Sequence, residues 1–173
     1  MRPSKPIMFA MMSIFVWTWL VGLFAPSVMA DDALARFEGG IGVIPVSSAA
    51  GVQDADGTFP NVNRNVVRGV NPAGQIWVIR DLDAEVETNG EIEVEGKGLI
   101  LGGGNNVGRA AGQSVFATLI CEAAAPFTLH NTNLAGVPLD PNGDFKIDDV
   151  LMPAPPFDCA GPMLLILNAS GGT

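Results

Sequence analysis

At 173 residues and a formal net charge of −9, the chain has room for one domain and repels nucleic-acid phosphates and anionic lipid headgroups. The imbalance sharpens after Ala30, where 18 acidic residues face 7 basic ones, a net of −11. One histidine, no tyrosine and 2 cysteines argue against a cysteine–histidine zinc centre and leave little for acid–base chemistry.

Residues 1–30 differ from the rest of the chain. Arg2 and Lys5 form a basic start, Ile7 to Phe24 is uncharged and mostly apolar, and Pro26 breaks the run. Val28-Met29-Ala30 then places small residues where a signal peptidase accepts them, so a secretory signal cleaved between Ala30 and Asp31 is expected. The competing reading is an uncleaved anchor, since the run approaches a bilayer span. No cysteine directly follows the run or the expected cleavage site, which gives no sign of a lipidated chain at that point. A periplasmic or extracellular location is expected, with no membrane span once the signal is removed.

Residues 31–63 are weakly patterned and are expected to be weakly structured. "DDALARFEGG" suits a helical turn after Asp32, and "IGVIPV" a short strand interrupted by Pro45. "SSAAGVQDADGTFPNVN" collects small and turn-forming residues and reads as a loop.

From residue 64 to 173 the pattern is β: "NVVRGV", "QIWVIRDLDAEVE", "EIEVEGKGLIL", "SVFATLIC", "FTLHNT", "GVPLD", "DFKIDD" and "MLLILN". These short, Val- and Ile-rich runs are separated by Gly, Pro and Asn clusters and carry no 3.6-residue period. They predict an all-β domain, a single antiparallel β-sandwich of the Ig-like or transthyretin-like kind. Trp77 lies inside one apolar run and reads as core.

Register can be read at the central hairpin. Leu82, Ala84 and Val86 alternate with Asp83, Glu85 and Glu87; Ile92 and Val94 alternate with Glu91, Glu93 and Glu95. A two-residue Asn89-Gly90 loop would oppose apolar to acidic residues. A three-residue loop, Thr88-Asn89-Gly90, opposes Val86 to Ile92 and Ala84 to Val94 and segregates the faces. It also opposes Glu85 to Glu93 and Asp83 to Glu95. Arginines near in sequence (Arg64, Arg68 and Arg80), solvent or a bound cation would offset that repulsion.

"GLILGGGNNVGRAAGQSV" lacks both the Gly-x-Gly-x-x-Gly spacing and the Lys-Ser/Thr of a phosphate loop. It reads as a mobile connection. If it recognises a ligand, Asn105, Asn106 and Arg109 are its polar tips.

Cys121 and Cys159 form an even pair in a chain expected to be exported, so a disulfide is predicted. His130 reads as a strand or edge residue.

In "LDPNGDFKIDD", Asp140, Asn142, Asp144 and Asp148 suggest calcium. An EF-hand fails, because Phe145 stands where glycine is needed and Leu151 where a bidentate carboxylate is needed. A three-residue turn, Pro141-Asn142-Gly143, explains the stretch by opposing Leu139 to Phe145 and Val137 to Ile147.

"GKGLILGGGNNVGRAAGQSVFATLIC", "LDPNGDFKIDDVL" and "PPFDCAGPMLLILN" together resemble small exported bacterial proteins of unknown function, over about Asn65 to Asn168. "NGDFKIDD" is also similar to a strand-turn-strand of carboxypeptidase-regulatory-like and transthyretin-like sandwich domains. The resemblance implies the fold and supplies no catalytic residues.

The expectation is a non-enzymatic envelope or secreted module that uses no cofactor and binds a protein or small ligand through its loops. The alternative is a calcium-binding β-domain using the acidic hairpin face or the region from Asp140 to Asp148.

Overall fold

The computed structural model describes residues 32–50, 52, 54, 55 and 61–169, and among these it contains strands and no α-helix. The signal reading of residues 1–30 lies outside the described residues. In chain order the strands are β1 (Ala33–Glu38), β2 (Val46–Ala50), β3 (Asn61–Arg64), β4 (Trp77–Val78), β5 (Asp81–Glu87) and β6 (Glu91–Lys97). They continue with β7 (Ile100–Leu101), β8 (Ser114–Ile120), β9 (His130–Asn131), β10 (Val137–Pro138), β11 (Phe145–Val150) and β12 (Met163–Asn168).

Two sheets carry the fold. The first has the order β1-β5-β6-β11; the second runs β10-β8-β12, with β9 also pairing β8. Two small pairs, β2-β3 and β4-β7, complete the set, and all pairings are antiparallel. Alternation decides what each strand buries: β5 and β6 alternate exposed acids with buried Leu82, Ala84, Val86, Ile92 and Val94. These residues and Ile147 share one core with Val115, Ala117 and Leu119 of β8. The apolar faces of the two sheets therefore meet in a sandwich-like, all-β arrangement. Val115 to Ile120 are all buried, which accounts for the unbroken apolar run of β8.

The three-residue hairpin register holds. Val86 pairs Ile92, Ala84 pairs Val94, and Glu85 pairs Glu93. Gly90 adopts φ +92° and its N–H donates to the Glu87 carbonyl at 3.0 Å. The predicted disulfide joins Cys121 to Cys159, with Cα atoms 4.6 Å apart. It links the residue after β8 to a residue shortly before β12, beside the Ile120–Met163 pair.

Several expectations are corrected. "DDALARF" is not a helical turn: Ala33–Glu38 is an edge strand on β5. Leu34 and Phe37 both pack against the core although they are three apart. A bulge between Ala33 and Ala35 inserts one extra residue, so a spacing of three recovers the same face. The segment expected to be weakly structured thus supplies a strand of the main sheet at Ala33–Glu38. The expected loop after Pro45 contains β2 and β3, and "IGVI" precedes β2 without being a strand. "NVVRGV" is a tight turn, with Val67 and Val70 exchanging two 2.9 Å hydrogen bonds around Arg68-Gly69.

The second hairpin is also corrected. The turn itself is as expected: the Asp140 N–H donates to the Asp144 carbonyl at 2.9 Å, and Gly143 has φ +86°. The strands then diverge, because Val137 pairs Val115 while Phe145 pairs Gly96 and Ile147 pairs Val94. Residues 140–144 form a corner between sheets. Leu139 and Phe145 both reach the core there, which gives the alternation a hairpin would also give.

Candidate functional site

The outer face of β5 and β6 forms an acidic groove of about 430 Å³, lined by Asp81, Asp83, Glu85, Glu93, Glu95 and Lys97. The register places Asp83 opposite Glu95, Glu85 opposite Glu93 and Asp81 opposite Lys97. Directly opposed like charges weaken a sheet unless cations intervene. The flanking strands supply them. From β1, Arg36 Nη2 lies 2.9 Å from Glu85 Oε1. From β11, the Lys146 ammonium pairs Glu93, and this hydrogen bond together with the Glu93 charge holds the lysine above its ordinary pKa of 10.5.

The arginines expected to do this lie elsewhere. Arg64 donates to the Pro72 carbonyl, Arg68 to the carbonyls of Ile120 and Gly161, and Arg80 sits 4.0 Å from Asp144. Nearness in sequence pointed to the wrong cations; strand order brings Arg36 and Lys146 from far along the chain. A signal was present, since each of them alternates with apolar residues on its own strand.

Of the candidate calcium residues, Asp140, Asn142 and Asp144 share the corner turn, and Asp148 stands apart on β11. Asp144 Oδ1 accepts the Gly98 N–H at 2.9 Å, and its Oδ2 accepts the Asn142 side-chain amide at 2.8 Å. Asn142 Oδ1 in turn accepts the Asp144 N–H at 3.3 Å. These bonds fasten the corner to the chain leaving β6, where Leu99 N–H also reaches the Gly143 carbonyl. Asp148 lies on β11, paired with Glu93 on the acidic face. Among the described residues no group of three or more His, Cys, Asp or Glu side chains is placed to hold a metal ion.

The glycine-rich stretch is a closed loop rather than an open connection. Leu101 N–H donates to the Arg109 carbonyl at 3.0 Å and Gly108 N–H to the Leu101 carbonyl at 2.8 Å. Two inner turns, Val107 to Gly104 and Arg109 to Asn106, brace it. Leu101 and Ala110 anchor its ends in the interior, while Asn105, Asn106 and Arg109 are exposed. Val107, whose apolar side chain gave no cue to a binding role, is 59% exposed between them.

His130 is buried on β9. Its Nδ1 lies 2.7 Å from the Pro153 carbonyl, and Nε2 has no hydrogen-bond partner among the described residues. Among the described residues, no helix is long and apolar enough to cross a membrane. No family model, no curated protein and no solved structure matches this chain.

Proposed function

We propose that the protein is an exported, non-enzymatic binding module of the cell envelope or its surroundings, which recognises a protein or small ligand through the loop at residues 102–109. The observation that carries this reading is the loop's internal bracing. Four backbone hydrogen bonds hold a short segment between two buried anchors, leaving Asn105, Asn106, Val107 and Arg109 exposed. A braced loop loses little conformational freedom on binding, and amides, an apolar side chain and a guanidinium together suit a carboxylate- or carbonyl-bearing ligand. Arg109 presents an exposed cation in an acidic chain, which favours an anionic group at that one place.

Export is supported by the disulfide and by the basic-apolar-small layout of residues 1–30. Within the all-β class, the two facing antiparallel sheets favour an Ig-like or transthyretin-like sandwich. The resemblance to small exported bacterial proteins points the same way.

The test compares the protein with an N105A/N106A/R109A variant on a glycan and peptide array and on immobilised envelope extract. Retained folding with binding lost in the variant supports the reading. Equal binding by both removes the loop from it. Turnover of a hydrolase substrate that one carboxylate substitution abolishes would replace it with an enzyme.

A further inference from the structure

We propose that Arg68 is a clasp that keeps Cys121 and Cys159 together in the reduced chain, so that the disulfide opens and re-forms without unfolding the protein.

The guanidinium arrives on a braced turn. Val67 and Val70 exchange two 2.9 Å hydrogen bonds around Arg68-Gly69, and Arg64 closes the base of the segment on the Pro72 carbonyl. Arg68 stands at φ +45°, where a residue with a Cβ is strained, and Gly69 follows at φ +83°. A strained residue persists where its surroundings hold it. Here the hold is at the far end of the side chain. Arg68 Nη1 donates to the Ile120 carbonyl at 3.2 Å and also to the Gly161 carbonyl.

Those two carbonyls bracket the disulfide. Ile120 precedes Cys121 at the end of β8, and Gly161 follows Cys159 by two residues on the approach to β12. The Gly161 N–H donates to the Cys121 carbonyl at 2.9 Å. A Cβ at Gly161 would stand 3.3 Å from that of Ala123, so the two cysteine-bearing segments lie against each other. None of these contacts uses sulfur. The charge on the donor makes the two arginine bonds the stronger kind. A noncovalent tie therefore spans the same gap as the covalent one and outlasts its cleavage.

Exposure sets the order of exchange. Cys121 is 2% exposed and Cys159 is half-buried, so a small disulfide such as oxidised glutathione reacts at Cys159. The Cys159 thiolate attacks one glutathione sulfur and expels the other as a thiolate. The Cys121 thiolate then attacks Cys159 Sγ of the mixed disulfide and expels the second glutathione. Two protein thiols are oxidised, one glutathione disulfide is reduced, and the two protons end on the glutathione pair. The clasp acts on the second attack, by holding Cys121 within reach.

The experiment equilibrates the protein as the cell matures it, and Arg68→Gly, with glutathione buffers. Alkylation and mass spectrometry read the dithiol-to-disulfide ratio, and amide hydrogen exchange is followed on the reduced forms. Glycine adopts a positive φ without strain, so the variant keeps the turn and loses the guanidinium. Reduced wild-type protein should keep its exchange protection at residues 116–120 and 164–167. In Arg68→Gly the equilibrium constant for disulfide formation should fall about tenfold or more, as losing charged hydrogen bonds implies. A residue that only shapes the turn would leave that constant unchanged while the variant gained stability from relieved strain, and this result would overturn the proposal. Loss of the β8 and β12 protection on reduction would overturn it too. The exchange measurement on reduced wild-type protein needs no variant, so it decides the matter even where Arg68→Gly fails to fold.

Discussion

Asp144 and Gly143 show how much one corner asks of two residues. Gly143 has φ +86°, and a Cβ there would meet the backbone of Leu99, which no side-chain adjustment relieves. Gly143→Ala should therefore lower stability by about 2 kcal/mol or more in urea denaturation; an unchanged midpoint would show that the corner is not packed on Leu99. Asp144→Ala leaves the Gly98 N–H without its acceptor and should cost about 1 kcal/mol by the same measurement. The glycine was legible in the sequence as a turn residue; its second task, the close approach to Leu99, was not, because that contact is made by chain about forty residues away. Gly96 is similar. It pairs Phe145, whose ring lies where a Cβ would stand, and nothing local marks it as the floor of an aromatic side chain. Glu122 carries a pH signature. The Thr128 N–H donates to its carboxylate at 3.1 Å and holds its pKa below the ordinary 4.5. A depressed carboxyl stabilises the fold above the unfolded value and loses that contribution as pH falls through the folded one. Carbon-detected NMR titration should place the Glu122 midpoint below 4.5, and Glu122→Gln should flatten the acid limb of the stability curve.

Strands were legible where alternation is strict and local. β5 and β6 are short-range partners, and segregation of Val86 and Ile92 from Glu85 and Glu93 is enough to choose their register. Alternation misleads at residues 137–147, where the same pattern serves two different sheets and Val137 turns to Val115. It misleads again at β1, where a bulge gives Leu34 and Phe37 the spacing of a helix. The acidic face follows the strand order: Arg36 and Lys146 come from the strands on either side of β5-β6 and each pairs one member of the Glu85–Glu93 couple, leaving the face acidic on balance. Replacing both with Gln should lower the melting temperature at low salt, with the loss shrinking as salt screens the acids. Calorimetric titration with millimolar calcium should give no heat and no thermal shift, since Asp144 already accepts two protein donors and Asp148 stands apart from it. Saturable heat would restore a cation to the acidic groove.

At the scale of the molecule, the all-β class and the disulfide were both legible in the sequence, the first from period-two runs and the second from an even cysteine count. The disulfide closes a separation of 38 residues. Cys121→Ala with Cys159→Ala should therefore destabilise the fold by about 3–4 kcal/mol in denaturant titrations of oxidised and substituted protein. What no local pattern contained was which strands neighbour one another. β8 pairs β9, β10 and β12, all of which lie after it in the chain. That order sets a timetable. A chain emerging N-terminus first exposes β8 before any of its strand partners exists, and its pairing is completed only as β9, β10 and β12 follow. The first sheet can assemble only as far as β1-β5-β6 until β11 emerges. Completion of the two sheets is thereby left to β11 and β12, the last two strands among the described residues.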